Sequence, residues 1–312
     1  MLKQQQQLVL HDCDANSDDL ITNMVLRRAT NLRLAGTVIT SGLCYVDEGY
    51  KNLRSIEHYL GSPEVEIGLW AEEMPNPFPA DWREDSRRYG KLPFLQSALG
   101  HVGKPAKAVE MMTRTLRRAS QPVTLVCTGP MTVLAKVLER NPRLASKIRM
   151  VVIMGGAVRV PGNVKVGQGE VSGVDGTAEW NVFCDPYAFK SVLAQDVLIR
   201  LISLDVTNQL PIDAKLLNKL KAQGKKSRAS HVAYELWRLQ ADRQIYLWDP
   251  TTAMSLVRPD LFRFEYVDID VETSGASLGR LIQLPPGKGK LVELAVGVDK
   301  EQVLANLLAL LG

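Results

Sequence analysis

Histidine and cysteine are scarce in this chain. Its 312 residues hold four of each. Cys13, Cys44, Cys127 and Cys184 are scattered, with no CxxC pair and no histidine at a zinc-binding spacing. That argues against zinc and against a disulfide framework, and fits reduced, mostly buried thiols in a cytosol. Long apolar runs are missing too. No window approaches the roughly 18 apolar residues of a membrane span, and the opening MLKQQQQLVLHDCD has no apolar segment before a small-residue cleavage site. A soluble, cytoplasmic protein with no membrane partner is expected. The Gln4 to Gln7 run is too short to be more than a solvated lead-in. Charge is close to balanced, 38 basic against 34 acidic residues for a net +4, and no basic stripe suggests nucleic acid as a partner. With no internal repeat and no linker, residues 1–312 read as one domain.

What stands out is Leu8 to Asp19, LVLHDCDANSDD. An apolar run reads as a buried strand, and Ser17-Asp18-Asp19 opens a helical pattern. Asp12, Asp14, Asp18 and Asp19 would then crowd the carboxyl end of a strand, where open α/β sheets bind ligands. Carboxylates this close raise one another's pKa unless a cation or hydrogen-bond donors neutralise them. Asp18 and Asp19 could serve only the helix dipole, but that leaves Asp12 and Asp14 without a partner. A hard divalent cation on oxygen ligands accounts for all four.

Strand and helix patterns alternate along most of the chain. Strands are expected at Leu32–Ile39, Val65–Leu69, Val123–Cys127, Ile148–Met154 and Val197–Leu204. Helices are expected at Leu20–Ala29, Val46–Leu60, Ala106–Arg118 and Met131–Arg140, from Asp185-Pro186 onward, and over Asp213–Arg243 with a break at Gln223–Ser227. Three strands (Phe264–Val271, Arg280–Leu284 and Lys290–Val298) and a helix capped by Asp299 close the chain. This is the pattern of an α/β fold: an open, mostly parallel central sheet with helices on both faces and extra C-terminal strands. Two stretches break the rhythm. Ala71 to Gly103 interleaves Pro75, Pro77, Pro79 and Pro93 with Trp82, Phe78, Tyr89 and Phe94, which reads as an ordered or partly mobile lid, or as a wrap over the core. Ala157 to Ala178 is a second long loop, rich in glycine.

The acids do not fit a calcium loop of the EF-hand kind, because Ser17 and Asn23 stand where its glycine and closing glutamate belong. A magnesium-dependent phosphohydrolase of the haloacid-dehalogenase type would also open with Asp12-Cys13-Asp14. Asn16 then replaces the usual threonine or valine, and no later acidic pair is well placed. Asp12, Asp14, Asp18 and Asp19 match D-x-D-x-x-x-D-D, with which nucleoside hydrolases open. Cys127-Thr128-Gly129-Pro130-Met131-Thr132, Met154-Gly155-Gly156, Gly162-Asn163, Ala178-Glu179-Trp180-Asn181, Asp185-Pro186 and Trp248-Asp249-Pro250 follow in that family's order. The chain therefore resembles the nucleoside hydrolases over nearly its whole length. Within them, Asn76-Pro77-Phe78-Pro79-Ala80-Asp81-Trp82-Arg83 and Asp175-Gly176-Thr177-Ala178-Glu179-Trp180-Asn181 are most similar to the purine-specific inosine-adenosine-guanosine nucleosidases.

The resemblance implies hydrolysis of the N-ribosidic bond of a small-molecule nucleoside. It implies Ca2+ on Asp14, Asp19, Asp249 and the Thr128 carbonyl, with Asp14 as general base to a water. Asp18, Asn163, Glu179 and Asn181 would address the ribose hydroxyls, although Asn163 could only shape a turn and Glu179 could pair with an arginine. Asp12 would support the metal ligands from behind. Trp82 and Trp248 match two tryptophans that sandwich a purine, with Asn16 also near the base; Trp82 could instead pack on the protein. Trp248 stands where other branches carry a histidine acid. None of His11, His58, His101 and His231 matches that site, and His11 reads as a packed or hydrogen-bonded core histidine. Leu43 replaces an acid of a purine-specific relative, which puts that loop's contribution in doubt. A homodimer or homotetramer is expected. The remaining alternatives are a broader-specificity ribonucleoside hydrolase and a non-catalytic nucleoside-binding protein of the same fold.

Overall fold

The computed structural model describes residues 6–96 and 103–312. Ten strands form one sheet: β1 (Gln7–Cys13), β2 (Leu32–Thr40), β3 (Glu66–Trp70), β4 (Ala106–Lys107), β5 (Val123–Cys127), β6 (Ile148–Met154), β7 (Ile199–Ile202), β8 (Phe262–Val271), β9 (Leu281–Leu284) and β10 (Lys290–Val298). Their order is β4-β3-β2-β1-β5-β6-β7-β10-β8-β9. Every pairing from β4 to β10 is parallel, while β8 runs antiparallel to both β10 and β9. This is the expected α/β sheet with an antiparallel C-terminal edge.

Two-residue periodicity divides β1 between two cores. Leu8 and Leu10 join one apolar cluster with Met111, Leu125 and Val151. Val9 and Cys13 join the other with Leu20, Ile21 and Met24 of the helix Ser17–Arg28. Because both faces are covered, the parallel strands can be continuously apolar. Counting outward from β1, the chain goes one way through β2 to β4 and the other way through β5 to β7. The β1/β5 boundary is therefore the switch point where loops diverge and leave a crevice.

Most expected elements form, with instructive differences. The helix read from Ala106 begins at Ala108, because Ala106 and Lys107 pair with Gly68 and Leu69. The Asp213–Arg243 stretch divides into Ala214–Gln223 and Arg228–Arg238, the second capped by Ser227. Its tail, 239–247, turns instead of continuing the helix. The strand read as Val197–Leu204 pairs only over Ile199–Ile202. A helix that periodicity did not announce, Trp248–Val257, carries Asp249 in its first turn. Of the lid stretch, residues 97–102 lie outside the described residues, as does His101; most of the glutamine lead-in's upstream flank, 1–5, does too. The rest of the lid forms three short helices, Ala80–Arg83, Asp85–Gly90 and Pro93–Gln96.

Candidate active site

Beyond β1 the chain turns through Ala15, whose φ of 54° is left-handed, a conformation strained for a residue with a Cβ. Asn16 then caps the helix Ser17–Arg28 in a reciprocal capping box with Asp19. Thr128, one residue past β5, is tied to β1 by its N–H on the Asp12 carbonyl at 2.8 Å. The helix Trp248–Val257 packs on Ser17–Arg28 and brings Asp249 to Asp18 and Asp19. Oxygens of these three carboxylates lie within 4.8 Å of one another. Asp18, Asp19 and Asp249 all sit in first turns, where helix dipoles favour negative charge.

That help is not enough. Burial, followed by repulsion from Asp14, pushes Asp18 up to about 6 and raises Asp19. Asp249 is raised by burial and then by Asp18, Asp19 and Asp14, and burial also raises Asp14. Asp12 is pushed to about 7 by burial; one of its oxygens accepts from the Thr40 hydroxyl at 2.8 Å and the other, Oδ2, is buried without a partner. Arg83 of the lid opposes the rise at Asp14, yet Asp14, Asp18, Asp19 and Asp249 all remain raised. Buried carboxylate oxygens beside a main-chain carbonyl are the donor set of a hard divalent ion. Asp18, Asp19 and Asp249, whose oxygens converge, and Asp14, whose carboxylate reaches Asp19, are a donor set that fits such an ion.

Asp14, Asn16, Asp18, Trp82, Thr128, Asn163, Glu179, Asn181, Trp248 and Asp249 line a single cavity of about 630 Å³, the size of a small-molecule site. Asp19 lies behind this lining. It accepts from the Asn16 N–H at 3.0 Å and the Thr128 hydroxyl at 2.5 Å. Glu179 does not pair with an arginine. Its carboxylate caps the helix Trp180–Cys184 through Asn181 N–H (3.0 Å) and Val182 N–H (3.3 Å) and accepts from Gly156 N–H at 2.8 Å. Burial nevertheless pushes it to about 7. Asn181 Nδ2 donates to the carbonyls of Thr128 and Met154, each at 3.1 Å. Asn163 braces its loop by accepting from Trp180 N–H at 3.2 Å, and still faces the cavity. Trp82 both lines the cavity and packs edge-on against Trp180, with centroids 5.4 Å apart. Trp248 donates from Nε1 to Asn208 Oδ1 at 3.1 Å and leans on Tyr246.

The loop after β2 contributes through its backbone. Leu43 N–H donates to Asp14 Oδ2 at 2.8 Å, so that loop serves Asp14 whatever side chain it carries. The His11 ring is fully buried, and burial holds it at about 3, hence neutral. Residues at the cavity and behind it also escaped the motifs. Tyr89 donates to Asn16 Oδ1 at 2.8 Å and accepts from Gln240 Nε2. Arg243 pairs with Asp85 at 2.5 Å, tying the lid to the 239–247 turns. The density of amides and aromatics from Gln240 to Trp248, immediately ahead of Asp249, is the sequence signal that could have marked Gln240 and Arg243.

Residues 9–305 match the family model described as inosine-uridine preferring nucleoside hydrolase. Uridine nucleosidase 1 of Arabidopsis thaliana is 27% identical over 285 residues, covering 87% of this chain and 80% of that protein. The pyrimidine-specific ribonucleoside hydrolase RihA of Citrobacter koseri is 29% identical, covering 86% and 84%. The crystal structure of an inosine-uridine preferring nucleoside hydrolase from Bacillus anthracis superposes with a TM-score of 0.89 at 29% identity, covering 98% of this chain and 99% of that one. A purine-preferring ribonucleoside hydrolase from Gardnerella vaginalis shares the fold, with a TM-score of 0.80 at 22% identity and 98% of each chain covered. A sheet with its acids at the switch point and a match over nearly the full length agree, and the chain belongs to the inosine-uridine preferring nucleoside hydrolase family, whose members are N-glycosyl hydrolases.

Proposed function

We propose that this chain is a calcium-dependent hydrolase of purine ribonucleosides, releasing ribose and the free base. The observation that carries the purine preference is the cavity lining. Trp82 and Trp248 both face it, and among the described residues lining it there is no histidine. Without an imidazole acid, the leaving base needs its own basicity, and a purine stacked on indole faces is easier to protonate because those faces are electronegative.

Asp14, Asp19, Asp249 and the Thr128 carbonyl would hold the cation, which when bound supplies charge for acidifying a water and for orienting ribose hydroxyls. Asp14 accepts the proton of the attacking water, and Leu43 N–H fixes its carboxylate in place. Asp18, Asn163, Glu179 and Asn181 take the ribose hydroxyls, and the backbone bonds to Glu179 keep its carboxylate from turning away. Asn16, oriented by Tyr89, is left to meet the base. A transition state with oxocarbenium character is expected at the anomeric carbon, stabilised by the surrounding negative charge. A cytosolic location and a homodimer or homotetramer belong to the same proposal; light scattering on the purified protein tests the latter.

Release of base from inosine, adenosine, guanosine, uridine and cytidine, with and without chelator, tests the proposal. Purines are expected to be preferred and chelator to stop turnover. A uridine specificity constant equal to or above that of inosine would overturn the purine preference and favour a broader-specificity ribonucleoside hydrolase, to which the relatives named for uridine and pyrimidines point. No sugar release from any of the five would favour a non-catalytic nucleoside-binding protein.

A further inference from the structure

His11 occupies the same face of β1 as Val9 and Cys13, opposite Thr37 of β2. The helix Ser17–Arg28 lays Asn23 and Arg27 over that face, one turn apart. Four hydrogen bonds link these groups in a row. Arg27 Nε donates to Asn23 Oδ1 at 2.7 Å, and Asn23 Nδ2 meets His11 Nδ1 at 3.3 Å. His11 Nε2 meets Thr128 Oγ1 at 2.9 Å, and Thr128 Oγ1 donates to Asp19 Oδ1 at 2.5 Å. An amide or an imidazole in the middle of such a row could point either way. Here both ends are decided: a guanidinium can only donate, and the Asp19 carboxylate, ionised when a cation is bound, can only accept. Asn23 must therefore offer N–H to His11, and its second N–H goes to Thr37 Oγ1 at 2.8 Å. His11 must carry its proton on Nε2, and Thr128 must spend its own on Asp19.

We propose that His11 is a positioning residue for the metal site, its Nε2–H tautomer enforced through Asn23 by Arg27 and delivered through the Thr128 hydroxyl to Asp19. The row rests on the reading above that Thr128 and Asp19 hold a divalent cation. It pins the side chains of both from behind, so that the Thr128 carbonyl and the remaining lone pairs of Asp19 are what the site offers an ion. All donors point toward the carboxylate, which favours its ionised form. The same directions settle a rival reading. His11, Cys13 and Asp19 bring ligand-type atoms within 4.8 Å of one another, but Nε2 is donating and the Nδ1 lone pair is taken. This trio is therefore not a second metal site.

Two measurements on the full chain decide it. Long-range proton–nitrogen NMR of the calcium-loaded protein, with the His11 signals identified by their loss in His11→Gln, is expected to show a neutral ring protonated on Nε2. A ring protonated on Nδ1 overturns the proposal. By calorimetry His11→Leu is expected to bind calcium about tenfold or more weakly, as loss of a group behind a metal ligand does. His11→Gln, which keeps an N–H near the Nε2 position, is expected to recover most of the affinity. An affinity of His11→Leu within about threefold of the unaltered chain overturns the proposal; if that variant does not fold, Asn23→Ala takes its place under the same criterion. Base release from inosine by the unaltered chain separates the two readings. If it binds no calcium, both fall; if it binds and turns over while His11→Leu binds equally well, only the role of His11 falls.

Discussion

Gly42 sits where a methyl group has no room. A Cβ there would come within 2.4 Å of Asp14 Oδ2 and 2.6 Å of Asp14 Cβ. The missing side chain is what lets the loop after β2 approach closely enough for Leu43 N–H to reach the same carboxylate. Gly42→Ala is therefore expected to push Asp14 out of line rather than unfold the protein. Steady-state kinetics should show a loss in kcat on the order of 100-fold, against a stability loss of about 1–3 kcal/mol in thermal melts. An unchanged kcat would mean that Asp14 does not act from this position. Asp14→Ala removes the proposed proton acceptor outright, and base release should drop by roughly 100- to 10,000-fold or more while the far-ultraviolet dichroism stays native. Full activity in that variant would end the proposed mechanism.

The near end of the lid, Asn76 to Phe78, is held by one stacked pair and two hydrogen bonds, whereas farther along Tyr89 and the Asp85–Arg243 pair tie the lid to the body. Phe78 lies on Trp180 with centroids 4.8 Å apart and planes inclined by 21°. Asn76 ties its main chain and its amide to the carbonyls of Cys184 and Phe183. These contacts join the lid to the helix Trp180–Cys184, which carries Asn181 and is capped by Glu179, in a small apolar cluster separate from the two main cores. This lightly anchored end opens at lower cost than the stretch around Tyr89. Phe78→Ala is expected to raise KM more than it lowers kcat, and to speed proteolytic nicking within 71–96 relative to the rest of the chain. Equal nicking and an unchanged KM would show that the stack does not hold the lid. The proline and aromatic content of this stretch made it legible as an ordered cover. Its partners were not legible, because they are residues about 100 positions away.

At the scale of the whole molecule, the acids make metal-free stability depend on pH. Burial holds Asp12, Asp18 and Glu179 at about 7, 6 and 7, against ordinary values of 3.8, 3.8 and 4.5. Each binds its proton more tightly when folded. Its stabilising contribution is full below the ordinary value and is lost as pH rises through the folded one. His11 runs the other way. Lowered from 6.5 to about 3, it contributes above 6.5 and loses that contribution as pH falls. The two trends oppose each other in the acid range, and above 6.5 the acids act alone. In chelator, the melting temperature is expected to fall between about pH 6.5 and 8, and calcium should reverse the fall by binding only the folded state. A flat, calcium-insensitive profile over that window would contradict a cation site on Asp14, Asp19 and Asp249, beside these carboxylates.

The order of strands and helices was written in local periodicity, because each element must turn an apolar face to a core wherever it ends up. The acids were legible for the same local reason, four carboxylates within eight positions having no use without a counter-charge. Asp249 and Thr128 were reached only through resemblance, since nothing in their own neighbourhoods says that two helix starts and a strand end will meet. The tertiary structure alone decided that Asp19 lies behind the cavity, that Leu43 serves through its backbone, and that Glu179 is engaged by N–H groups rather than an arginine. It also decided the direction of the hydrogen bonds from Arg27 to Asp19. Proton placement in a buried row depends on what stands at both ends, and here the ends and Asn23 belong to one helix while His11 comes from β1 and Thr128 from the residue after β5.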